Sequence, residues 1–225
     1  MAQFTIVLGN KAYSSWSLRG WLMLKLTGAA FDEVVVPLDR PETKAAIRAH
    51  SPSRRVPTLK AGGLAVWDTL AIAEYLYERF PEAGLWPEDP AARARARSVA
   101  AEMHAGFPAL RARLPMDLKR EPPEPGAGIA VDADITVDGA LAGEIVRIVA
   151  IWSDCRARFG GAGDFLFGRF GAADAFYAPV ATRFVTYGVA LEGAAADYRD
   201  ALVTRPDLRQ WIAAAKAEPW VIEEP

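Results

Sequence analysis

A proline-rich stretch, PEAGLWPEDP at residues 81–90, separates two parts of this sequence whose apolar residues follow different periodicities. Before the stretch, short β-branched runs alternate with helical patterns, whereas after it no convincing strand pattern occurs. Proline fixes its own backbone angle and disfavours a helical conformation in the residue before it, so such a stretch is a natural linker. We therefore expect an α/β domain over residues 1–81 and an all-α domain over residues 89–225.

The first part predicts the element order strand, helix, strand, helix, strand, strand, helix. The strand patterns cover residues 4–8, 31–38, 56–60 and 64–67, and the helical patterns cover residues 17–26, 40–50 and 67–80. Gly62 and Gly63 supply the tight turn that joins the last two strands as a hairpin. The sequence thus predicts an α/β layer.

The second part begins with a predicted long helix from Pro90 to about Leu114, with a bend at Pro108. Asp89 is a favourable N-cap residue, and proline suits the first position of a helix. Further helical patterns cover residues 139–159, 172–187, 195–203 and 206–217. This part is therefore expected to be all-α.

Two irregular segments interrupt the helical part. Residues 115–138 form a predicted loop, and a connection of this length is typical of either a functional or a disordered segment. Residues 160–170 are a turn-rich approach to the helix at residue 172, with Gly171 as its expected N-cap and Asp174 at its third position.

The composition excludes several classes of function. A net charge of -2 and a pI near 5.8 lack the basic excess of a nucleic-acid-binding protein. No apolar run approaches the roughly 18 residues that a membrane span needs, and the N-terminal pattern is not that of a signal peptide. We therefore expect a cytoplasmic protein with neither a nucleic-acid nor a membrane partner.

The single cysteine and the two histidines do not suggest a metal site. Cys155 lies in a helical pattern and is expected to be a buried packing residue, because isolated cysteines often behave as small apolar side chains. His50 and His104 complete the set of soft ligands, and no Cys/His ligand spacing occurs. We expect no bound metal.

A cluster of hydroxyls lies where the first strand runs into the first helix, in FTIVLGNKAYSSWSLRGWLML at residues 4–24. Ser14, Ser15 and Ser17 occupy this turn. The N-terminus of a helix offers free N–H groups and positive potential, so an anion or thiolate placed there is stabilised. The alternative is that one serine only caps the helix, which needs no ligand.

Four local motifs follow one another along nearly the whole chain in a familiar order. They are SSWSLR at 14–19, VPTL at 56–59, DTLAIAEYL at 68–76 and FGRFGAADAFYAP at 167–179. Together they resemble the cytosolic glutathione S-transferases, in particular a bacterial-type homologue of the zeta class, whose signature has cysteine where this chain has Trp16. The resemblance implies a thioredoxin-like α/β domain with a mixed four-stranded sheet, and an all-α domain that contributes a second-substrate pocket. It also implies a homodimer with a role in detoxification, and glutathione as co-substrate without a metal.

The resemblance also implies a role for the serine turn. A thiol of pKa about 8.5 is mostly protonated at neutral pH, and the thiolate is the nucleophile. A depression of about two units needs about 2.7 kcal/mol of preferential thiolate stabilisation, which a hydrogen bond and a helix N-terminus can supply. The family places the catalytic hydroxyl at Ser14. Ser15 and Ser17 remain rivals, because the sequence does not show which hydroxyl faces the sulfur.

The other glutathione contacts implied by the resemblance lie in two motifs. The Val56 backbone, before a proline that the family joins by a cis bond, would pair with the cysteinyl part, and Arg55 would bind the glycine carboxylate. Asp68 and Thr69 would bind the γ-glutamyl end, and Ser14 and Ser15 in the serine turn complete the implied glutathione contacts. Read without the resemblance, Asp68 is an ordinary N-cap and Arg54 and Arg55 are a solvated surface pair. Arg19 is open between a structural ion pair and a ligand contact.

The second-substrate pocket is expected where the helical domain faces the serine turn. Its candidate walls are Tyr13, Trp16, Met103, Phe107 and Leu110. A stripe of methionine and aromatic side chains at helical spacing is more often core than pocket, which is the alternative here. His104 is taken as a surface or packing residue.

The expected function is that of a serine-type glutathione transferase, which activates glutathione as a thiolate for addition to small electrophiles. Two alternatives remain open. One is a zeta-like cis-trans isomerase of the maleylacetoacetate isomerase type, and the other is a non-catalytic relative that binds a protein partner. A thiol transferase is disfavoured, because serine occupies the nucleophile position and Cys155 lies in the other domain.

Overall fold

The computed structural model describes residues 3–124, 127–129 and 139–222. The first part contains seven elements in the predicted order, which is confirmed. They are β1 (Phe4–Gly9), α1 (Ser15–Leu26), β2 (Phe31–Val36), α2 (Thr43–His50), β3 (Thr58–Ala61), β4 (Leu64–Trp67) and α3 (Thr69–Arg79). A short 3₁₀ turn, Pro81–Ala83, lies in the proline-rich stretch that follows.

The strands form one mixed sheet in the order β2-β1-β3-β4, as the thioredoxin-like prediction requires. β1 pairs parallel with β2 and antiparallel with β3, and β4 pairs antiparallel with β3. β1 is central, and Phe4, Ile6, Val7 and Leu8 are all buried. A strand buried on both faces reads as a continuous apolar run, which is why FTIVL lacks alternation.

The strand register brings three chain segments to one edge of the sheet. Val7 near the end of β1 pairs with Thr58 at the start of β3, and Thr58 pairs with Trp67 at the end of β4. The residues that follow β1, those that precede β3 and those that follow β4 therefore meet at this edge. These segments contain the serine turn, the Val56–Pro57 bond and the start of α3.

The second part consists of helices around a central, buried helix. They are α4 (Pro90–Ala105), α5 (Pro108–Arg113), α6 (Gly139–Phe159), α7 (Ala172–Thr186), α8 (Gly193–Thr204) and α9 (Pro206–Ala217). α7 packs against α1, α4 and α8, so the apolar core continues from the sheet layer into the helical part. The boundary between domains at residues 81–89 stays a prediction.

The predicted continuous helix from Pro90 to Leu114 is wrong. α4 ends at Ala105, Gly106 is extended, and Phe107 has a φ of 60°, before α5 begins at Pro108. The ring of Pro108 disfavours a right-handed helical conformation at residue 107, so the chain breaks rather than bends there. Glu144 of α6 accepts hydrogen bonds from the first free N–H groups of α5, at Ala109 and Leu110.

The remaining differences are small. α1 begins at Ser15 rather than at residue 17, and β2 ends at Val36 rather than at residue 38. Of the predicted loop at 115–138, residues 115–124 and 127–129 contain neither helix nor strand, and the rest lies outside the described residues. Within those described ranges, none of the helices combines the length and the apolar character that crossing a membrane demands.

Candidate functional site

The serine turn is organised by a chain of hydrogen bonds that begins in β1. The backbone N–H of Gly9 donates to Ser17 Oγ at 2.9 Å, and Ser14 Oγ donates to Ser17 Oγ at 2.8 Å. Ser14 is the N-cap of α1, and its oxygen accepts a hydrogen bond from the Ser17 N–H at 3.3 Å. The capping alternative is therefore confirmed for Ser14, although a cap of this kind does not exclude a ligand.

The three hydroxyls differ in what they can offer a ligand. Ser17 has an exposed fraction of 0% and connects α1 to β1, so its role is structural. Ser14 and Ser15 are 7% and 6% exposed. The Ser15 hydroxyl has no hydrogen bond to any residue that the structure describes, whereas the Ser14 proton points to Ser17.

A cleft of about 410 Å³ lies at the sheet edge beside this turn. Its lining residues come from α1, the loop before β3, the end of β4, the start of α3 and the end of α4; they are Trp16, Ser53, Arg55, Val56, Pro57, Trp67, Asp68, Thr69, His104 and Ala105. The cleft therefore brings together Trp16, Arg55, Val56, Asp68 and Thr69 of the predicted site. Ser14 and Ser15 immediately precede Trp16 but do not line the cleft themselves. The Val56–Pro57 bond is cis, as the resemblance implied.

Asp68 begins α3 in an unusual conformation. Its φ is 72°, a region that costs a non-glycine residue on the order of 1–3 kcal/mol and that clusters at functional sites. Its Oδ1 accepts a hydrogen bond from the Leu70 N–H at 2.9 Å, so Asp68 is an N-cap, as the plain interpretation held. Its side chain is 47% exposed and faces a second partner across the cleft.

That partner is His104, which the sequence did not place in the site. Its Nε2 lies 3.4 Å from Asp68 Oδ2, and its Nδ1 lies 3.4 Å from Thr69 Oγ1. Its ring meets the Trp16 ring edge-on at 5.0 Å between centroids. The expectation of a simple surface or packing residue is thus corrected. Helical periodicity shows which face of α4 is buried, but not that α3 lies opposite it.

The electrostatic surroundings keep His104 neutral. Burial is the main cause that lowers its pKa, the negative charge of Asp68 opposes this, and the positive charges of Arg19 and Arg111 lower the pKa further. A neutral imidazole has one donor and one acceptor nitrogen. His104 can therefore serve one neighbour as donor and the other as acceptor.

Arg19 is a completely buried cation beneath Trp16. Its exposed fraction is 0%, and among the residues that the structure describes its guanidinium nitrogens have no hydrogen-bond partner. The guanidinium carbon lies 4.4 Å from the Trp16 ring centroid and 5.2 Å from that of Phe176. The ion pair considered for Arg19 is therefore replaced by stacking. Burial lowers its pKa well below the ordinary value, and Arg111 and Arg183 add to this.

The other proposed walls of the second-substrate pocket lie elsewhere. Met103, Phe107 and Leu110 are 0%, 6% and 0% exposed and belong to the core, as the alternative held. Tyr13 packs partly buried against that core. Of this group only Trp16 lines the cleft.

Sequence reasoning missed four lining residues: Ser53, Trp67, His104 and Ala105. Trp67 and Ser53 lie close in sequence to Asp68 and Val56, and this closeness was the signal that could have placed them at the site. Arg54 is exposed and does not line the cleft. Cys155 is buried, as expected.

The described part of the chain holds no group of three or more His, Cys, Asp or Glu side chains arranged for a metal ion. The side chains at the cleft supply hydroxyls, a neutral imidazole, a carboxylate and a guanidinium group.

Several known proteins resemble this chain. A probable maleylacetoacetate isomerase from Caenorhabditis elegans is 31% identical over 132 residues, which are 59% of this chain and 60% of that protein. A maleylpyruvate isomerase from Ralstonia sp is 34% identical over 96 residues, 40% of this chain and 45% of that protein. The aligned segments thus span between 45% and 60% of the relatives' own lengths.

The fold has solved counterparts. A glutathione transferase homologue from Burkholderia GL BGR1, with bound glutathione, superposes with a TM-score of 0.67 at 23% identity, over 97% of this chain and 100% of that one. At this identity the likeness shows the fold alone. The family models for the N-terminal and C-terminal domains of glutathione S-transferase match residues 13–79 and 90–214. Because these matches cover well over half of the sequence, the chain belongs to the glutathione S-transferase family.

Proposed function

We propose that this protein binds glutathione in the cleft and activates its thiol at the serine turn for reaction with a small electrophile. The observation that carries the proposal is the meeting of three segments at one sheet edge. These are the N-terminus of α1, the loop that ends in the cis Val56–Pro57 bond and the N-terminus of α3. Each offers a different part of the tripeptide a chemically suitable partner.

The binding contacts follow from this arrangement. The backbone of Val56 can pair with the cysteinyl part, and Arg55 at the cleft wall can bind the glycine carboxylate. Asp68 attracts the γ-glutamyl ammonium, while Thr69 and the free N–H groups of α3 suit its carboxylate. His104 bonds to both side chains and helps to position them.

The thiolate is stabilised at the N-terminus of α1, with Ser14 as the proposed donor. Hydroxyl protons rotate, so Ser14 can turn its proton from Ser17 to the sulfur. Ser17 Oγ–H can then donate to Ser14 Oγ, and such a chain of hydroxyls strengthens each hydrogen bond. Ser15, whose hydroxyl is not otherwise engaged among the described residues, is the second candidate.

Isomerisation is the second candidate function, and the names of the sequence relatives favour it. In that reaction the thiolate adds to one carbon of an activated carbon–carbon double bond. The former double bond, now single, rotates, and the thiolate then leaves so that the double bond forms again. The guanidinium groups of Arg19 and Arg111, at 4.4 and 4.9 Å from the Trp16 ring, give the region a positive potential that suits an acidic electrophile. Trp16 in place of the zeta-class cysteine is the feature that argues against an ordinary zeta enzyme.

Replacing Ser14 with alanine tests the assignment. Loss of a hydrogen bond to a charged group costs about 1.5–3 kcal/mol, so Ser14→Ala should raise the pKa of the bound thiol by about 1–2 units. The thiol is titrated by thiolate absorbance, and calorimetry checks that glutathione still binds. Ser15→Ala is the matched variant; an effect confined to it would transfer the role to Ser15.

The reaction type is decided by direct assay. Wild-type protein is supplied with glutathione and either maleylacetoacetate or a panel of small electrophiles, and conversion is followed. A wild-type protein that binds no glutathione in calorimetry would contradict the whole proposal. Glutathione binding without turnover, together with a stable protein partner, would favour the non-catalytic alternative.

The assembly and location remain part of the proposal. Membership of the glutathione S-transferase family favours an assembly of two copies of the chain. A homodimer is therefore proposed, with a cytoplasmic location. Sedimentation of the purified protein measures the oligomeric state.

A further inference from the structure

The turn that carries Ser14 is bonded to the far end of the helical part. Glu218 follows α9, and its carboxylate accepts hydrogen bonds from two consecutive backbone amides of this turn. Its Oε1 accepts from the Lys11 N–H at 2.9 Å, and its Oε2 accepts from the Ala12 N–H at 3.3 Å. Residues 11 and 218 are 207 positions apart, so this contact exists only in the folded chain.

The carbonyl groups of the same two residues bond to the helical part as well. Lys11 O accepts from Trp211 Nε1–H at 2.9 Å, and Ala12 O accepts from the Leu118 N–H at 3.1 Å. All backbone polar groups of Lys11 and Ala12 are therefore paired with residues beyond the linker. Loops normally meet such needs with water or local turns, so this arrangement is unusual in being supplied from another part of the chain.

Glu218 is itself fixed in place. Its backbone carbonyl accepts a hydrogen bond from Lys119 Nζ. Burial raises the pKa of the Tyr13 hydroxyl, and the backbone of Ile222, four residues after Glu218, opposes this. The segment after α9 thus lies along the turn from residue 11 to residue 13.

The position of Ser14 depends on this turn. The carbonyl of Asn10 accepts hydrogen bonds from the N–H groups of Tyr13 and Ser14, at 3.2 and 2.9 Å. A displacement of Lys11 and Ala12 therefore moves the N-cap of α1 relative to the cleft. Placement errors of about 1 Å can cost about a hundredfold in rate, because catalytic hydrogen bonds require close alignment.

We propose that Glu218 is a positioning residue for the thiol-activating serine, acting through the Lys11 and Ala12 amides. The proposal rests on the proposed function, since it concerns the same site. A carboxylate is needed because it presents two acceptors to two adjacent donors, whereas glutamine presents one acceptor and one donor group. Glu218 does not line the cleft.

The test compares Glu218→Gln with Glu121→Gln. Glu121 forms an exposed ion pair at 3.2 Å with Lys216, two residues before Glu218, so the control makes the same chemical change without touching the turn. Glu218→Gln should lower kcat with glutathione by about tenfold, by misplacing the serine, while KM for glutathione changes little. The pKa of the bound thiol should rise, and the amides of residues 11–14 should exchange hydrogen faster than in the control.

A second variant keeps the test meaningful if Glu218→Gln folds poorly. Lys119→Met removes the amine that holds the Glu218 backbone, and it should produce the same changes in kcat and thiol pKa at smaller size. Faster amide exchange with an unchanged thiol pKa and unchanged kcat would overturn the positioning role alone. Absence of glutathione binding by the wild-type protein would overturn the proposed function itself. Amide exchange of the unliganded protein does not depend on glutathione, so it distinguishes this failure from a failure of the positioning role.

Discussion

At the scale of single residues, His104 connects the end of α4 with the start of α3 at the cleft. It belongs to α4, yet its two ring nitrogens lie 3.4 Å from Asp68 and Thr69 at the start of α3. Burial and two nearby arginines lower its pKa, against the opposing effect of Asp68. The imidazole therefore stays neutral at physiological pH and can bond to both neighbours.

Titration of His104 should reveal this environment. The chain has only two histidines, so proton NMR of the wild type and of His50→Gln assigns both resonances. His104 should titrate below the ordinary value of about 6.5. Because its folded-state pKa is lowered, the unfolded state binds more protons as the pH falls. Its contribution to stability is thus complete above about pH 6.5 and is lost as the pH falls through the folded-state pKa. A titration at or above the ordinary value would contradict the assignment.

At the scale of secondary-structure elements, periodicity predicted most of the fold. α6 and α9 match their predicted bounds because their apolar faces repeat without interruption. The break between α4 and α5 was missed because the apolar pattern of Met103, Phe107 and Leu110 continues across it. For the same reason these side chains were expected at the pocket, whereas they are core residues. A local pattern shows which face is buried, but only the three-dimensional packing shows what covers it.

The candidate site was predictable to the extent that its parts lie near recognisable segments. Trp16, Arg55, Val56, Asp68 and Thr69 line the cleft, and each lies in a motif next to a strand or helix end. Long-range contacts such as those of Glu218 with the serine turn leave no local signal. Neither hydrophobic periodicity nor capping rules link residues at opposite ends of the chain.

The N-terminus of α7 provides a test at this scale. Asp174 is 1% exposed, and its carboxylate accepts hydrogen bonds from the N–H groups of Gly171 and Leu166 and from the Tyr198 hydroxyl. Asp174→Ala leaves these buried donors without an acceptor and should lower the free energy of unfolding by about 3 kcal/mol or more. Chemical denaturation measures the loss. Asp89→Ala, which removes the cap of α4, is the milder control, at about 1 kcal/mol.

The pH dependence of the free energy of unfolding in the same variants separates the effect of ionising the Asp174 carboxyl from the effect of its hydrogen bonds. Burial raises the pKa of Asp174 to about 6, although its hydrogen bonds oppose this. Between about pH 4 and 6 the folded state therefore binds more protons than the unfolded state, so this contribution to stability falls as the pH rises. The difference in unfolding free energy between wild type and Asp174→Ala should therefore shrink as the pH rises from about 4 to about 6. A constant difference would show that the carboxyl is not perturbed.

At the scale of the whole molecule, the sheet layer and the helical part share one core. α1 packs against α7 and α9, and the Trp21 and Trp211 rings meet at 5.3 Å between centroids. The cleft also draws its lining from both parts, with His104 and Ala105 from α4 facing the sheet edge. The proline-rich stretch therefore separates two patterns of sequence without separating two cores.

Unfolding should consequently be one cooperative transition. Exposing either part alone would open the shared apolar core to water, which is unfavourable in proportion to the area exposed. Far-UV circular dichroism reports on the helices, and tryptophan fluorescence reports on seven side chains in both parts, including the Trp21–Trp211 contact. The two thermal curves should coincide, and the calorimetric and van't Hoff enthalpies should agree. Two separated midpoints would show instead that the parts unfold independently.

The burial of Arg19 has a consequence for the conditions under which the site works. Dissolved ions weaken interactions between exposed charges, but they cannot approach a guanidinium that is enclosed by Trp16 and Phe176. Its field therefore reaches the neighbouring turn almost unchanged whether the surrounding solution is dilute or saline. Arg55 at the exposed cleft wall does not share this protection. If glutathione is the co-substrate, as proposed, ionic strength should thus affect how tightly this anion is held far more than how acidic its bound thiol becomes.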